Sequence, residues 1–258
     1  MGFSEHAHPL LNVDKAISFG KAVKQLHAGR VVFGQCLGAR LPVPVYESAF
    51  ALARTLEEKG ERERVKITVV SPTTLESDLG DATAAAAIKR ALDAYQIEFL
   101  PNLRIESLMQ DSAITKTGES INFNLLMLVP PFRGSSAASH LGITNEDGYL
   151  NVDSTMRVAG EERIYAVGDC TNFEGPKMGH MAVRQAEVAA TNLAAEIDGR
   201  ERVSHYQHEM RFVLDEIGGE SLYVHKDLST DEPATIKQGR FWSWAKQVHE
   251  KYWKVSYS

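Results

Sequence analysis

The chain has 258 residues, 43% of them hydrophobic and 24% charged, with a formal net charge of −6 at pH 7. That length holds one or two globular domains, and the acidic balance without a Lys/Arg patch excludes nucleic acid as the main partner. Only Cys36 and Cys170 are present, which rules out a disulfide scaffold and fits a reducing compartment; with a polar start and no apolar run approaching a membrane span, neither a secretory signal nor a transmembrane helix is expected, and the expected setting is cytoplasmic.

Residues 1–12 read as an extended lead-in. Asp14 is placed to cap a helix reaching about His27, with Ala16, Phe19, Val23 and Leu26 along one face. Residues 30–34 and 65–70 read as strands. Between them, 45–59 repeats Ala49, Leu52, Ala53 and Leu56 at helical spacing, which makes a βαβ unit. Arg62, Arg64 and Lys66 alternate with Glu57, Glu58, Glu61 and Glu63 and read as a solvated turn. An Ala-rich helix over 81–94 leads to a third parallel strand at 95–99. Residues 105–109 and 121–124 flank the turn Lys116-Thr117-Gly118-Glu119, which predicts an antiparallel flap. Residues 125–129 predict a central strand, stopped by Pro130 and Pro131. Residues 148–169 carry a return into a second sheet, followed by a helix over 178–197. A β-hairpin is expected over 209–225 around Gly218-Gly219, and an amphipathic helix over 241–253.

The run Ile164-Tyr165-Ala166-Val167-Gly168-Asp169 reads as a buried strand ending on a glycine and a carboxylate. Gly175-Pro176-Lys177-Met178-Gly179-His180 then leads into a small-residue helix. At the carboxyl end of a strand, an Asp can accept hydrogen bonds from ribityl or ribose hydroxyls. A helix start offers free N–H groups and a positive dipole end to an electron-rich ring edge. On spacing alone, a buried strand capped by a turn Asp fits as well.

Over 148–193 this segment closely resembles the second flavin-binding motif of the FAD-dependent pyridine nucleotide-disulfide oxidoreductases, and within them the sulfide:quinone reductase-like branch. The resemblance implies an α/β fold of the two-dinucleotide-binding-domain type. Its parts would be a lead-in and helix (1–27), a Rossmann-like NAD-type domain (28–145) and the later part of a split FAD domain (146–258). It implies FAD as cofactor, with Gly168, Asp169, Lys177, Met178, Gly179 and His180 around it. Leu128-Val129-Pro130-Pro131-Phe132-Arg133-Gly134 resembles the branch's proline turn, which adds Pro131. Lys177 would favour the reduced anionic flavin; a solvated loop lysine is the competing reading. The family's strand–GxGxxG–helix unit for the FAD pyrophosphate is not found before Gly34, so the expectation is that this chain alone holds FAD weakly or not at all.

An NAD site would need G-x-G-x-x-G after the first strand and an acid after the second. The first turn instead reads Gly34-Gln35-Cys36-Leu37-Gly38-Ala39-Arg40-Leu41-Pro42-Val43-Pro44, and the second strand ends Val70-Ser71-Pro72. Both departures argue against NAD(P). The resemblance makes Cys36 and Cys170 the redox pair for a sulfide-type donor: Cys36 lies at a strand end in a region where the branch carries one of the pair, at a different distance from Tyr46-Glu47, while Cys170, directly after Asp169, is not at the usual place of the second. Each reads equally as a small buried residue. His140 and His180 are candidate proton relays to a quinone, against a plainer reading as surface and helix-start residues. His6 and His8 lack companions, so no metal site is assigned. Phe241, Trp242, Trp244, Ala245, Val248, Tyr252 and Trp253 share one broad face of the last helix. That face suits peripheral contact with the inner face of a membrane, packing on the chain's own hairpin, or a homodimer contact. The activity implied is transfer of two electrons from a small-molecule donor through flavin to a quinone. The alternatives are a type II NADH:quinone reductase and a non-catalytic flavoprotein-like binding module.

Overall fold

The computed structural model describes residues 2–10, 12–215 and 221–256. Two short helices come first, α1 (Phe3–His6) and α2 (Val13–Gln25). The lead-in is therefore not extended throughout. Asn12, not Asp14, caps α2, because its side-chain oxygen accepts from Lys15 N at 2.9 Å.

β1 (Gly29–Gln35) pairs in parallel with β2 (Val65–Val70) on one side and β7 (Leu125–Val129) on the other. Between β1 and β2 lies α3 (Val43–Glu58), which buries Val45, Tyr46, Ala49, Phe50, Leu52, Ala53 and Leu56. After β2 come α4 (Leu75–Leu79), α5 (Ala82–Ala94) and β3 (Glu98–Leu100), which pairs in parallel with β2. The sheet order is β3-β2-β1-β7. All five residues of β7 are buried, as in a covered parallel sheet, yet it is the last strand and not a central one. The lead-in explains this, since His8 N donates to Leu126 O at 2.9 Å along the outer side of β7. Ala7 packs into the cluster of Val32, Cys36, Val70, Leu126 and Leu128.

The flap has one more strand than the sequence predicts. β4 (Ile105–Leu108), β5 (Ser112–Thr115) and β6 (Ser120–Asn122) form an antiparallel sheet with β5 in the middle. The turn that includes Gly118 joins β5 to β6. Short α4 was also unforeseen; Thr74 caps it by accepting from Ser77 N. The expected solvated turn at Arg62 is a clamp instead. The guanidinium donates to the carbonyls of Val65, Tyr95 and Gln96 and so ties the end of α5 to the start of β2.

Beyond β7 lie α6 (Ser136–Ser139) and α7 (Gly179–Ile197). Between them the expected second sheet is reduced, among the described residues, to isolated bridges: Thr144–Leu150, Leu150–Thr171, Val152–Val158 and Arg157–Tyr165. Residues 164–167 are thus not a fully buried strand, and only Ala166 among them is buried. β8 (Glu209–Asp215), β9 (Ser221–Asp227) and β10 (Thr235–Gly239) form a three-stranded sheet in the order β10-β9-β8, followed by α8 (Arg240–Ser256). The Gly218-Gly219 turn lies outside the described residues. The chain divides into two compact units. One comprises Met1–Pro131, Phe212–His225 and Pro233–Ser258; the other comprises Phe132–Arg211 and Lys226–Glu232.

Candidate functional site

In the second unit, Val167 is extended and a single 3-10 turn, Gly168–Cys170, follows it. Gly168 has φ 75°, a left-handed conformation that a side chain resists. Three contacts fix the turn. Gly168 N donates to Gln185 Oε1 at 2.6 Å, Thr171 Oγ1 donates to Gly168 O at 2.8 Å, and Cys170 Sγ donates to Val167 O at 3.2 Å. The turn leaves Asp169 exposed.

Lys177 is 8% exposed, which removes the solvated-lysine alternative. Its ammonium donates to Thr171 O and lies 5.2 Å from the centre of the Tyr149 ring. At the start of α7 no side chain caps the helix, and a Cβ built on Gly179 would meet nothing within 4 Å. Uncapped N–H groups at the positive end of a 19-residue helix suit an acceptor edge or a negative charge. A shallow cleft beside this start is lined by Gly168, Asp169, Phe173, Lys177, Gln185 and His208, among others.

His180 turns back into the unit, where its Nε2 accepts from Arg211 N at 3.3 Å. Burial is the main cause of its lowered pKa, so the ring is neutral at neutral pH. Nearby, the buried carboxylate of Glu209 pairs with Arg184 and Arg211. His140 is exposed on the surface.

The first unit holds Cys36 and Pro131. Cys36 is 4% exposed and packed among apolar side chains, and burial pushes its thiol up to about 11. At neutral pH it is therefore a protonated, weakly nucleophilic group. Pro131 is exposed, and a Cβ built on Gly38 would lie 3.8 Å from its Cβ. At the carboxyl ends of β1 and β2 the structure supplies an acid that the sequence order concealed. Asp78, on α4, folds back to Ser71, the first residue after β2. It accepts from Ser71 Oγ at 2.8 Å, from Tyr46 OH at 2.8 Å and from Thr73 Oγ1. The start of α3 carries Pro42 and Pro44, which lack N–H groups, while Val45 N donates to Pro42 O.

The second unit thus brings together Gly168, Asp169, Cys170, Lys177, Met178, Gly179 and His180. Gln185 and His208 belong with them, although the sequence reading missed both. For Gln185 a signal existed: a polar residue among the apolar positions Met181, Val188, Ala189 and Ala195 on the buried face of α7. His208 carries no comparable local signal.

A model of the pyridine nucleotide-disulphide oxidoreductase family matches residues 47–186, more than half of the chain. The chain belongs to this family. It is 23% identical to sulfide-quinone reductase of Aquifex aeolicus, in an alignment covering 98% of the chain and 65% of that protein. It is also similar to ferroptosis suppressor protein 1 of Xenopus laevis, 31% identical over 117 residues that cover 44% of the chain and 31% of that protein. The crystal structure of the A. aeolicus sulfide:quinone oxidoreductase shares the fold, with a TM-score of 0.90 at 20% identity over 98% of this chain and 65% of that one. The chain spans from about a third to just under two thirds of the length of these relatives. The α/β, Rossmann-like expectation holds.

The two cysteines are expected to react unequally. At pH 8 only about one Cys36 in a thousand is a thiolate, by the usual titration law. Iodoacetamide should label partly exposed Cys170 first and leave Cys36 unmodified until the chain unfolds. Intact-mass time courses showing both thiols labelled at similar rates in the folded protein would contradict this placement.

Proposed function

We propose that the chain is the flavin-facing and donor-side portion of an FAD-dependent oxidoreductase that passes two electrons from a small donor to a quinone. The observation carrying this reading is the exposed Asp169 on a left-handed Gly168 turn, beside the uncapped start of α7. The names of its relatives, sulfide-quinone reductase among them, point the same way. In this reading 28–145 is the NAD-type domain and 146–258 the later part of the FAD domain, after the 1–27 lead-in.

The residues present fit a flavin. Asp169 would accept from the ribityl hydroxyls, and Met178, Gly179 and His180 would receive the ring edge. Lys177 would hold positive charge behind the cleft, with Pro131 on the proline turn. When bound, the flavin would supply the two-electron store. Cys36 and Cys170 are the proposed redox thiols, and a role for Cys36 requires that donor binding displace its proton. NADH is disfavoured as donor. The carboxylate at the end of β2 is already satisfied by three hydroxyls of the chain, and prolines remove pyrophosphate donors from the start of α3. For the quinone side, α8 exposes Phe241, Trp244 and Val248 while Trp242 stacks on Tyr223 at 4.2 Å. That stripe suits an amphipathic contact at the inner membrane face. No helix among the described residues is long and apolar enough to cross a membrane.

The test is FAD titration of this chain, and of the chain joined to an upstream strand–GxGxxG–helix unit, followed by visible absorption. Saturable binding by the joined form is expected, weakened about tenfold by Asp169→Ala, roughly the worth of one charge-assisted hydrogen bond. Sulfide, and not NADH, should then bleach the flavin, and a soluble quinone should restore it. Absence of flavin from both forms would leave the binding-module reading, and rapid bleaching by NADH would favour the NADH:quinone reductase.

A further inference from the structure

His208 sits on the wall of the Asp169–Lys177 cleft, and no role in the reading above uses it. Its Nε2 is 2.7 Å from the carbonyl oxygen of Glu174. A carbonyl only accepts, so Nε2 carries the proton and Nδ1 holds a lone pair in the neutral ring. Nδ1 is buried and has no hydrogen-bond partner among the described residues. The ring stacks on Phe173, with centroids 5.1 Å apart and planes at 27°, and meets Tyr206 at 5.8 Å. Its own backbone is fixed, because Leu228 N donates to His208 O at 2.8 Å. A well-anchored ring therefore grips a loop, Glu174-Gly175-Pro176-Lys177, whose last residue is the buried lysine of the site. A Cβ built on Gly175 would come within 3.9 Å of Nε2.

We infer that His208 is a positioning residue: through the Glu174 carbonyl it latches the loop that carries Lys177, and the latch opens as the pH falls. The inference rests on the flavin-site reading only for the importance of Lys177. A second proton on His208 would go to Nδ1, where a buried N–H finds no acceptor and a positive charge joins that of Lys177. Burial is the largest influence on this ring and lowers its pKa, and Lys177 lowers it further. The Glu174 hydrogen bond, Asp227 and the Glu174 carboxylate act in the opposite direction. A ring with a folded pKa below its free value of about 6.5 stabilises the folded loop fully above that pH. This contribution is lost as the pH falls through the lowered folded value.

The test is nuclear magnetic resonance of the full chain, labelled with nitrogen-15, without flavin. The ring nitrogens of His208 report tautomer and charge. The amide of Gly175 reports the hydrogen bond to the preceding carbonyl. Between pH 8 and pH 5 the Gly175 signal should move with the same midpoint as the His208 ring, below about 6.5. In His208→Gln, whose amide can still donate but does not titrate, the Gly175 signal should stay fixed over this range. A ring protonated on Nδ1 at pH 8, a Gly175 signal that ignores the ring's titration, or one that still moves in H208Q would each overturn the latch. If H208Q does not fold, the comparison of the two wild-type signals decides alone. Since no flavin is present, failure of FAD binding leaves this result unaffected, and failure of the latch leaves the flavin reading standing.

Discussion

Asn192→Leu should destabilise the protein by about 4 kcal/mol, the loss expected when several buried polar groups are stranded together. Asn192 is fully buried on α7. Its amide nitrogen donates to Thr155 O at 3.1 Å and to Ser204 O at 2.7 Å. Its oxygen accepts from Val203 N at 3.2 Å and from Ser204 N at 3.0 Å. One side chain thus satisfies backbone groups of two loops that have no ladder of their own, the 153–158 turn and the 201–205 return. Leucine fills similar space and supplies none of these bonds. Asn192→Asp keeps the two acceptor contacts but buries a charge facing two carbonyls, so it should fail as badly. Thr191→Ala, one position away on the exposed face, should stay within about 0.5 kcal/mol of wild type. Urea denaturation followed by circular dichroism measures all three. An Asn192→Leu variant within about 1 kcal/mol of wild type would mean that water or relaxation replaces the amide.

Gly134→Ala should be at least as damaging. A Cβ on Gly134 would lie 1.8 Å from Gly148 O and 2.5 Å from Tyr149 N. Both are backbone atoms, so no rotamer change relieves the clash. The approach is held by Gly134 N donating to Asp147 O at 3.0 Å and by the Arg133–Asp147 ion pair. We expect a loss of about 4 kcal/mol or more, or no folded product. Gly148→Ala is the informative contrast. There the nearest atom to the new Cβ is 3.5 Å away, and only the left-handed φ of 83° opposes the change. Its cost should be about 1–2 kcal/mol. Equal melting temperatures for the two variants would show that the chain opens at Gly134 at no greater cost than a left-handed alanine at Gly148.

The sequence carried the first unit well because its signals are local. Val31-Val32-Phe33 and Ile67 to Val70 are mostly apolar runs rich in β-branched residues, as a covered sheet requires, and α3 repeats its apolar residues at helical spacing. The Gly168-Asp169 turn and the start of α7 were also legible, since a left-handed glycine and an uncapped small-residue helix leave traces in a few adjacent residues. Strand β5 was hidden because Ser112-Ala113-Ile114-Thr115 is short and mixed in character. The edge position of β7 depends on a partner more than a hundred residues earlier in the chain, which no local pattern reveals. The same limit hid Asp78. Its carboxylate belongs to the end of β2 only because α4 folds back, and it reads in sequence as a surface acid. Gln185 reaches the turn across 17 residues and His208 reaches Glu174 across 34. Buried polar pairings of this kind are chosen by tertiary geometry and have no periodicity.

The contact of His8 with the outer side of β7 bears on the open edge of the parallel sheet. A strand of five buried apolar residues at the end of a sheet is a template on which a foreign strand can grow. Here one backbone donor and the packed methyl of Ala7 occupy that side with the chain's own beginning. The lead-in acts as a sacrificial neighbour. It covers part of the outer side of the last strand, where a foreign strand would otherwise pair.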